Sequence, residues 1–139
     1  MRKNVLICGQ AGQGINFTAT LLGRVLSSAG YYVFIYRDYG SLIRGGHNFN
    51  VVTFSDSPVH SHDNKFEAVI DLDQKAAQHR SNLVKGALVL NKEKASQENW
   101  PEDILKSKYQ VNNFLLGFLV GGWGLPRKLL IQATKRELK

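Results

Sequence analysis

The stretch Val5-Leu6-Ile7-Cys8-Gly9-Gln10-Ala11-Gly12-Gln13-Gly14-Ile15 decides how this chain folds. A short apolar run ends in three glycines, and a helical pattern begins directly after them. That order predicts a strand, a tight turn and a helix N-terminus. In an α/β domain this is a common place for a phosphate or a close backbone contact. A second glycine-bearing segment, Arg44-Gly45-Gly46-His47-Asn48, lies downstream. The two segments are expected to belong together.

Working outward, the first strand covers about Asn4–Cys8 and the helix about Gly14–Ala29. Ile15, Ala19, Leu22, Val25, Leu26 and Ala29 recur at three and four residues, which makes one buried stripe. Gly30 ends the helix as a C-terminal cap. Tyr31–Tyr36 is aromatic and β-branched throughout, a second strand. Strand, helix and strand with short links form a βαβ unit with parallel strands. Phe49–Phe54 is a further strand, which can enter the sheet antiparallel. Ser55–Pro58 is a turn, and Val59–His62 is read as a short hairpin return. Phe66–Leu72 and Gly86–Leu90 are strands, with a weak helix at Asp73–Leu83 between them. Lys92–Lys108 is polar, with a short helix near Glu102–Lys106. Val111–Gly121 is strongly apolar. Pro126 or Arg127 opens a last helix, amphipathic through Leu129, Leu130, Ala133 and Leu138. The alternation predicts an α/β fold: a three-layer αβα sandwich on a mixed, mostly parallel sheet.

The chain has 139 residues, enough for one domain with a single apolar core. No apolar run reaches the ~18 residues that cross a bilayer. Four apolar residues after the basic start fall short of a signal peptide's core of roughly 7–15 residues, so a cytoplasmic location is expected. A lone cysteine, Cys8, rules out an internal disulfide. It also cannot by itself hold zinc or an iron–sulfur cluster, which take about four ligands. At the end of an apolar strand, Cys8 is read as a small buried hydrophobe. The net charge of +7 suits an acidic partner. The basic residues are dispersed and not interleaved with aromatics, which argues against nucleic acid. Their cluster at Arg127, Lys128, Lys135, Arg136 and Lys139 is a solvated helix face.

The glycines at 9, 12 and 14 spell G-x-x-G-x-G, whereas a dinucleotide fingerprint is G-x-G-x-x-G. Ala11 stands where that motif needs the glycine that admits a pyrophosphate. Asp38 does sit at the end of the second strand, where a ribose-binding acid would be. No Lys-Ser/Thr pair follows, so a Walker loop is not formed. Two readings of Gly12-Gln13-Gly14 stay open. Either the glycines only let the helix pack closely on the strand, or the turn presents backbone N–H groups and the Gln13 amide to a ligand or neighbour. Arg44 adds a rigid guanidinium fork suited to a carboxylate or phosphate. Gly45 and Gly46 let the backbone pass close to another chain. His47 and Asn48 add donors and acceptors, although a β-bulge with solvated polar residues explains the loop as well. His60 and His62 share a face but have no companion carboxylate, so no metal site is assigned. No catalytic triad or carboxylate pair can be argued from spacing.

Together these segments resemble the gamma domain of the 2-oxoacid:ferredoxin oxidoreductases. That family opens with a strand, a G-x-G-G-Q-G-I turn and a helix. Here Gly9-Gln10-Ala11-Gly12-Gln13-Gly14-Ile15 matches it, with Ala11 as a departure. The run Tyr36-Arg37-Asp38-Tyr39-Gly40-Ser41-Leu42-Ile43-Arg44-Gly45-Gly46-His47-Asn48 is the longest match. It looks most like the versions in which gamma is fused ahead of the alpha domain. Ala68–Asp73 and Lys85–Leu90 match the family's later strands. Asn113-Phe114-Leu115-Leu116-Gly117 resembles its N-x-x-x-L-G helix start. Lys92–Lys108 is shorter than the family's counterpart.

The resemblance implies that residues 1–139 form one gamma-type domain, free-standing or leading a longer fused chain. It implies a complex that oxidatively decarboxylates a 2-oxoacid to acyl-CoA and reduces ferredoxin. Thiamine diphosphate and Mg2+ would sit between the alpha and beta parts, [4Fe-4S] clusters in beta or in a ferredoxin-like part, and coenzyme A in or near the other subunits. This chain would carry no catalytic residue and no metal. Gly12, Gln13, Gly14, Arg44, Gly45, Gly46, His47 and Asn48 would line a seam with a partner part or the CoA entrance. The competing reading is an independent nucleotide- or dinucleotide-binding module.

Overall fold

In a computed structural model of the chain, residues 1–10, 12–38, 47–73, 81–93 and 108–137 are described. Five strands form one sheet: β1 (Arg2–Gln10), β2 (Tyr32–Asp38), β3 (His47–Ser55), β4 (Phe66–Asp71) and β5 (Leu83–Asn91). The helices are α1 (Ile15–Ser28), α2 (Lys108–Gly122) and α3 (Arg127–Glu137). The strand order is β2-β3-β1-β4-β5. β1 pairs parallel with β4, and β4 with β5, while β3 runs antiparallel to both β1 and β2. The sheet is mixed, as expected, with four strands pointing one way.

Strand alternation sorts the core into two faces. Val5, Ile7, Val52, Phe54, Ala68 and Ile70 point to the face that α1, α2 and α3 cover. Leu6, Cys8, Val51 and Val69 point the other way, into a second buried cluster. Both faces of the sheet therefore bury apolar side chains, and the three described helices lie on the first of them. On α1, Ala19, Leu22, Val25 and Leu26 are fully buried, so the 3.6-residue stripe was read correctly. Gly23 lets this helix approach β2, since a Cβ there would stand 3.1 Å from Ile35 Cδ1. α1 and α2 end in the same device. Gly30 (φ 97°) and Gly124 (φ 68°) take the left-handed conformation after the last turn. Tyr31 and Leu125 N–H then reach back to the carbonyls of Leu26 and Val120.

Three sequence expectations change. β1 and β2 run parallel but are not neighbours, because β3 is laid between them. Val59–His62 is not a hairpin strand. β3 already pairs on both edges, so no ladder is left for it. That segment lies against the sheet instead, with Val59 buried and the His62 ring stacked on Tyr36, centroids 4.2 Å apart. β5 starts earlier than Gly86 and is irregular: its register to β4 shifts between Phe66 and Ala68, and Gly86 has φ 80°. Of the expected helix at 73–83, residues 74–80 lie outside the described residues, and Leu83 already belongs to β5; the polar segment at 94–107 with its short helix, the loop at 39–46 and Leu138 also lie outside them. No helix among the described residues is long and apolar enough to cross a membrane.

Candidate functional site

The site region is the edge of the sheet where β1 and β4 end and β3 begins. In open α/β sheets, ligands gather at the carboxyl ends of parallel strands. The antiparallel register sets Gly9 against Asn48 and Gln10 against His47. The glycine turn and the start of β3 are thus held side by side, as the sequence suggested. Arg44, Gly45 and Gly46 lie outside the described residues. Of His47 only the backbone is described, while Asn48 is buried at the start of β3.

The turn is closed by Gln13. Its Oε1 accepts the Gln10 N–H at 2.6 Å, and its Nε2 donates to the Leu72 carbonyl at 2.9 Å. One carboxamide therefore ties the turn to itself and to the end of β4. Leu72 N–H in turn donates to the Cys8 carbonyl at 2.8 Å. Gly9 is required beneath this clamp: a Cβ would meet Gln13 Oε1 at 2.8 Å, Leu72 Cβ at 3.0 Å and Ile15 Cγ2 at 3.1 Å. Gly12 (φ 91°) and Gly14 (φ 83°) both take the left-handed conformation that suits glycine.

A third element locks the turn from the far end of the chain. Asn112, near the start of α2 and 2% exposed, donates through Nδ2 to the Gln13 carbonyl and to Thr18 Oγ1, each at 3.0 Å. Thr18 Oγ1 donates in turn to the Gly14 carbonyl at 2.8 Å. β3 adds its own tie, with Asn50 Nδ2 donating to Asn16 Oδ1 at 2.9 Å. Sequence reading singled out Asn113 at the start of this helix. The residue that reaches the turn is Asn112, which also gives the proper N-x-x-x-L-G spacing to Leu116 and Gly117.

The side chain of Gln13 thus works inside the chain. What remains outward is backbone. Gly12 is exposed, and α1 starts from Gly14 with no side-chain cap and no acid in its first turn. The positive end of the helix dipole is therefore not answered by a carboxylate from that turn.

Beside the turn, Cys8, Asp71 and Asp73 bring one thiol and two carboxylates within 4.8 Å of one another. Cys8 lies opposite Asp71 in the parallel ladder and donates to its Oδ1 at 3.7 Å. Burial pushes the Cys8 thiol well above its ordinary pKa, and the charges of Asp71 and Asp73 raise it further. It is a protonated, hydrogen-bonded core residue at neutral pH.

The geometry also weighs against a dinucleotide site. In that motif the ribose-binding acid hangs from the strand next to the glycine turn. Here β3 intervenes, so Asp38 is two strands away, roughly 10 Å at the usual spacing.

Residues 4–139 match the family described as pyruvate ferredoxin/flavodoxin oxidoreductase. The chain belongs to this family. The alpha subunit of a 2-oxoacid:ferredoxin oxidoreductase from a Sulfolobus species is 36% identical over 92 residues, 66% of this chain and 15% of that protein. The matched stretch thus spans about a seventh of the length of that relative. Among solved structures, the gamma subunit of a keto/oxoacid ferredoxin oxidoreductase from Geobacter sulfurreducens superposes with a TM-score of 0.76. It is 20% identical and is covered over 83% of its length by 96% of this chain. The 2-oxoglutarate:ferredoxin oxidoreductase from Magnetococcus marinus gives a TM-score of 0.75 at 15% identity, over 98% of this chain and 27% of that one. At those identities the structures establish the fold, which is the α/β fold that the sequence predicted.

Proposed function

We propose that this family member is the gamma part of a 2-oxoacid:ferredoxin oxidoreductase. The whole enzyme oxidatively decarboxylates a 2-oxoacid, transfers the acyl group to coenzyme A and passes the electrons to ferredoxin. The family match over nearly the full chain carries this reading. Alpha and beta parts are its partners, as separate subunits or as segments of a fused chain in which this domain comes first. It functions in the cytoplasm and in anaerobic metabolism, with pyruvate or 2-oxoglutarate as the substrate type.

This chain is a non-catalytic part of that machine. Its single cysteine is a buried, protonated thiol, so it does not supply the ligands of a [4Fe-4S] cluster. Thiamine diphosphate and Mg2+ belong to the other parts. Bound there, thiamine diphosphate supplies the carbanion chemistry of decarboxylation. The turn at Gly12, Gln13 and Gly14, together with Arg44, Gly45, Gly46, His47 and Asn48, lines a seam with a partner part or the CoA entrance. CoA is bound in the Magnetococcus structure, and a net charge of +7 suits a polyphosphate.

Calorimetric titration of the purified chain with NAD, FAD and CoA tests the reading. No binding of NAD or FAD is expected, and at most weak binding of CoA. Tight NAD or FAD binding at the glycine turn would favour an independent dinucleotide module instead.

A further inference from the structure

α2 is apolar on two faces. Val111, Leu115, Leu116, Leu119 and Val120 are buried in the core. The opposite side carries Phe114, Gly117 and Phe118, and residues 111–122 include no charged side chain. Phe114 and Phe118 are each 39% exposed, and Ile131 of α3 47%. A helix that is apolar all round is normally covered on all sides. Here that half-exposed side joins α3 in a groove of about 840 Å3, lined by Gly117, Phe114, Phe118, Leu130 and Ile131.

One further observation says what the groove accepts. Arg127 and Lys135 stand on its rim, eight residues apart on α3 and so ~12 Å along the helix. Neither has a salt bridge among the described residues, and Glu137, the acid of α3, is paired with Arg24 of α1. Among the described residues no acidic side chain lines the groove.

We infer that this groove seats an amphipathic helix of a partner polypeptide, with apolar residues at three- and four-residue spacing and Asp or Glu on its flanks. Helix-in-groove docking uses such anchors. A second copy of this chain fits badly, because a two-fold contact sets the groove against itself and brings Arg127 and Lys135 of both copies together. The inference rests on the proposed place of this domain in a larger oxidoreductase.

The test uses the enzyme co-expressed with its alpha-like and beta-like polypeptides, or the fused chain. A benzophenone photocrosslinker is placed at Phe118, and the crosslinked peptide is sequenced by mass spectrometry. The expected product is a helical segment of one of those polypeptides with apolar anchors and at least two flanking acids. A crosslink to a second copy, to a segment without acids, or to nothing overturns the inference. In parallel, Arg127→Glu with Lys135→Glu is expected to weaken association at least tenfold, while circular dichroism shows an unchanged fold. Phe118→Glu gives a second, independent variant at a half-exposed position. If the unsubstituted chain associates and these variants associate equally well, the groove assignment falls alone. If the unsubstituted chain does not associate at all, the oxidoreductase reading falls with it.

Discussion

Gly9 of β1 stands directly opposite Asn48 of β3 in the antiparallel ladder. Through this pair the glycine turn and the start of β3 share one edge of the sheet. The pair also explains why residue 9 is glycine, because its missing side chain leaves room for the Gln13 carboxamide and Leu72. Gly9→Ala is expected to lower stability by about 1–3 kcal/mol through overpacking. Urea denaturation measures it. Because the nearest obstacle is the end of the Gln13 side chain, the double variant Gly9→Ala, Gln13→Ala should cost less than the sum of the two single changes. Strict additivity would mean that Gln13 does not sit over Gly9.

Asn112 and Asn113 are neighbours with opposite roles. Asn112 holds the Gln13 carbonyl and Thr18 across the domain, whereas Asn113 leaves its oxygen without a partner among the described residues. Asn112→Leu should therefore cost about 1–3 kcal/mol, the range for stranding buried polar groups. Asn113→Leu should leave the isolated domain as stable as before, or more stable. Thermal unfolding of the two variants side by side decides between these roles.

Residue patterns alone carried most of the fold. The apolar stripe of α1, the Gly30 cap and the β-branched strands were legible because each is a local signal of period or turn chemistry. Strand lengths were less so: β1 runs from Arg2 to Gln10, beyond its apolar centre, because pairing with β3 extends into polar residues. The insertion of β3 between β1 and β2 was not legible, since sequence order says nothing of which edge a strand joins. At the site, the nearness of the glycine turn to His47 and Asn48 was foreseen. The inward use of the Gln13 amide was not, because its acceptor, the Leu72 carbonyl, is 59 residues away. Asn112 was missed for a similar reason: only the rotational phase of α2 decides which of two adjacent asparagines faces the core.

Cys8 gives a pH signature. Its thiol titrates higher in the folded chain than in the unfolded one, because burial and the neighbouring Asp71 and Asp73 disfavour the thiolate. Below the unfolded thiol's pKa of about 8.5 both states keep the proton, and stability is unaffected. Above it the unfolded chain loses the proton while the folded chain retains it. Stability then falls by about 1.4 kcal/mol per pH unit until the folded pKa is reached. Denaturation midpoints between pH 8 and pH 10 should show this decline, and Cys8→Ala should flatten it. Iodoacetamide should label Cys8 in urea but not in the native protein.

The most direct measurement is reconstitution by omission. The alpha-like and beta-like parts are purified with and without this domain. Acyl-CoA formation and ferredoxin reduction are then followed with a 2-oxoacid and CoA. The expected result is activity that requires all parts, no activity from this chain alone, and loss or steep reduction of acyl-CoA formation when this domain is left out. Full CoA-dependent activity without it, in a mixture with which it does not associate, would contradict its place in the enzyme.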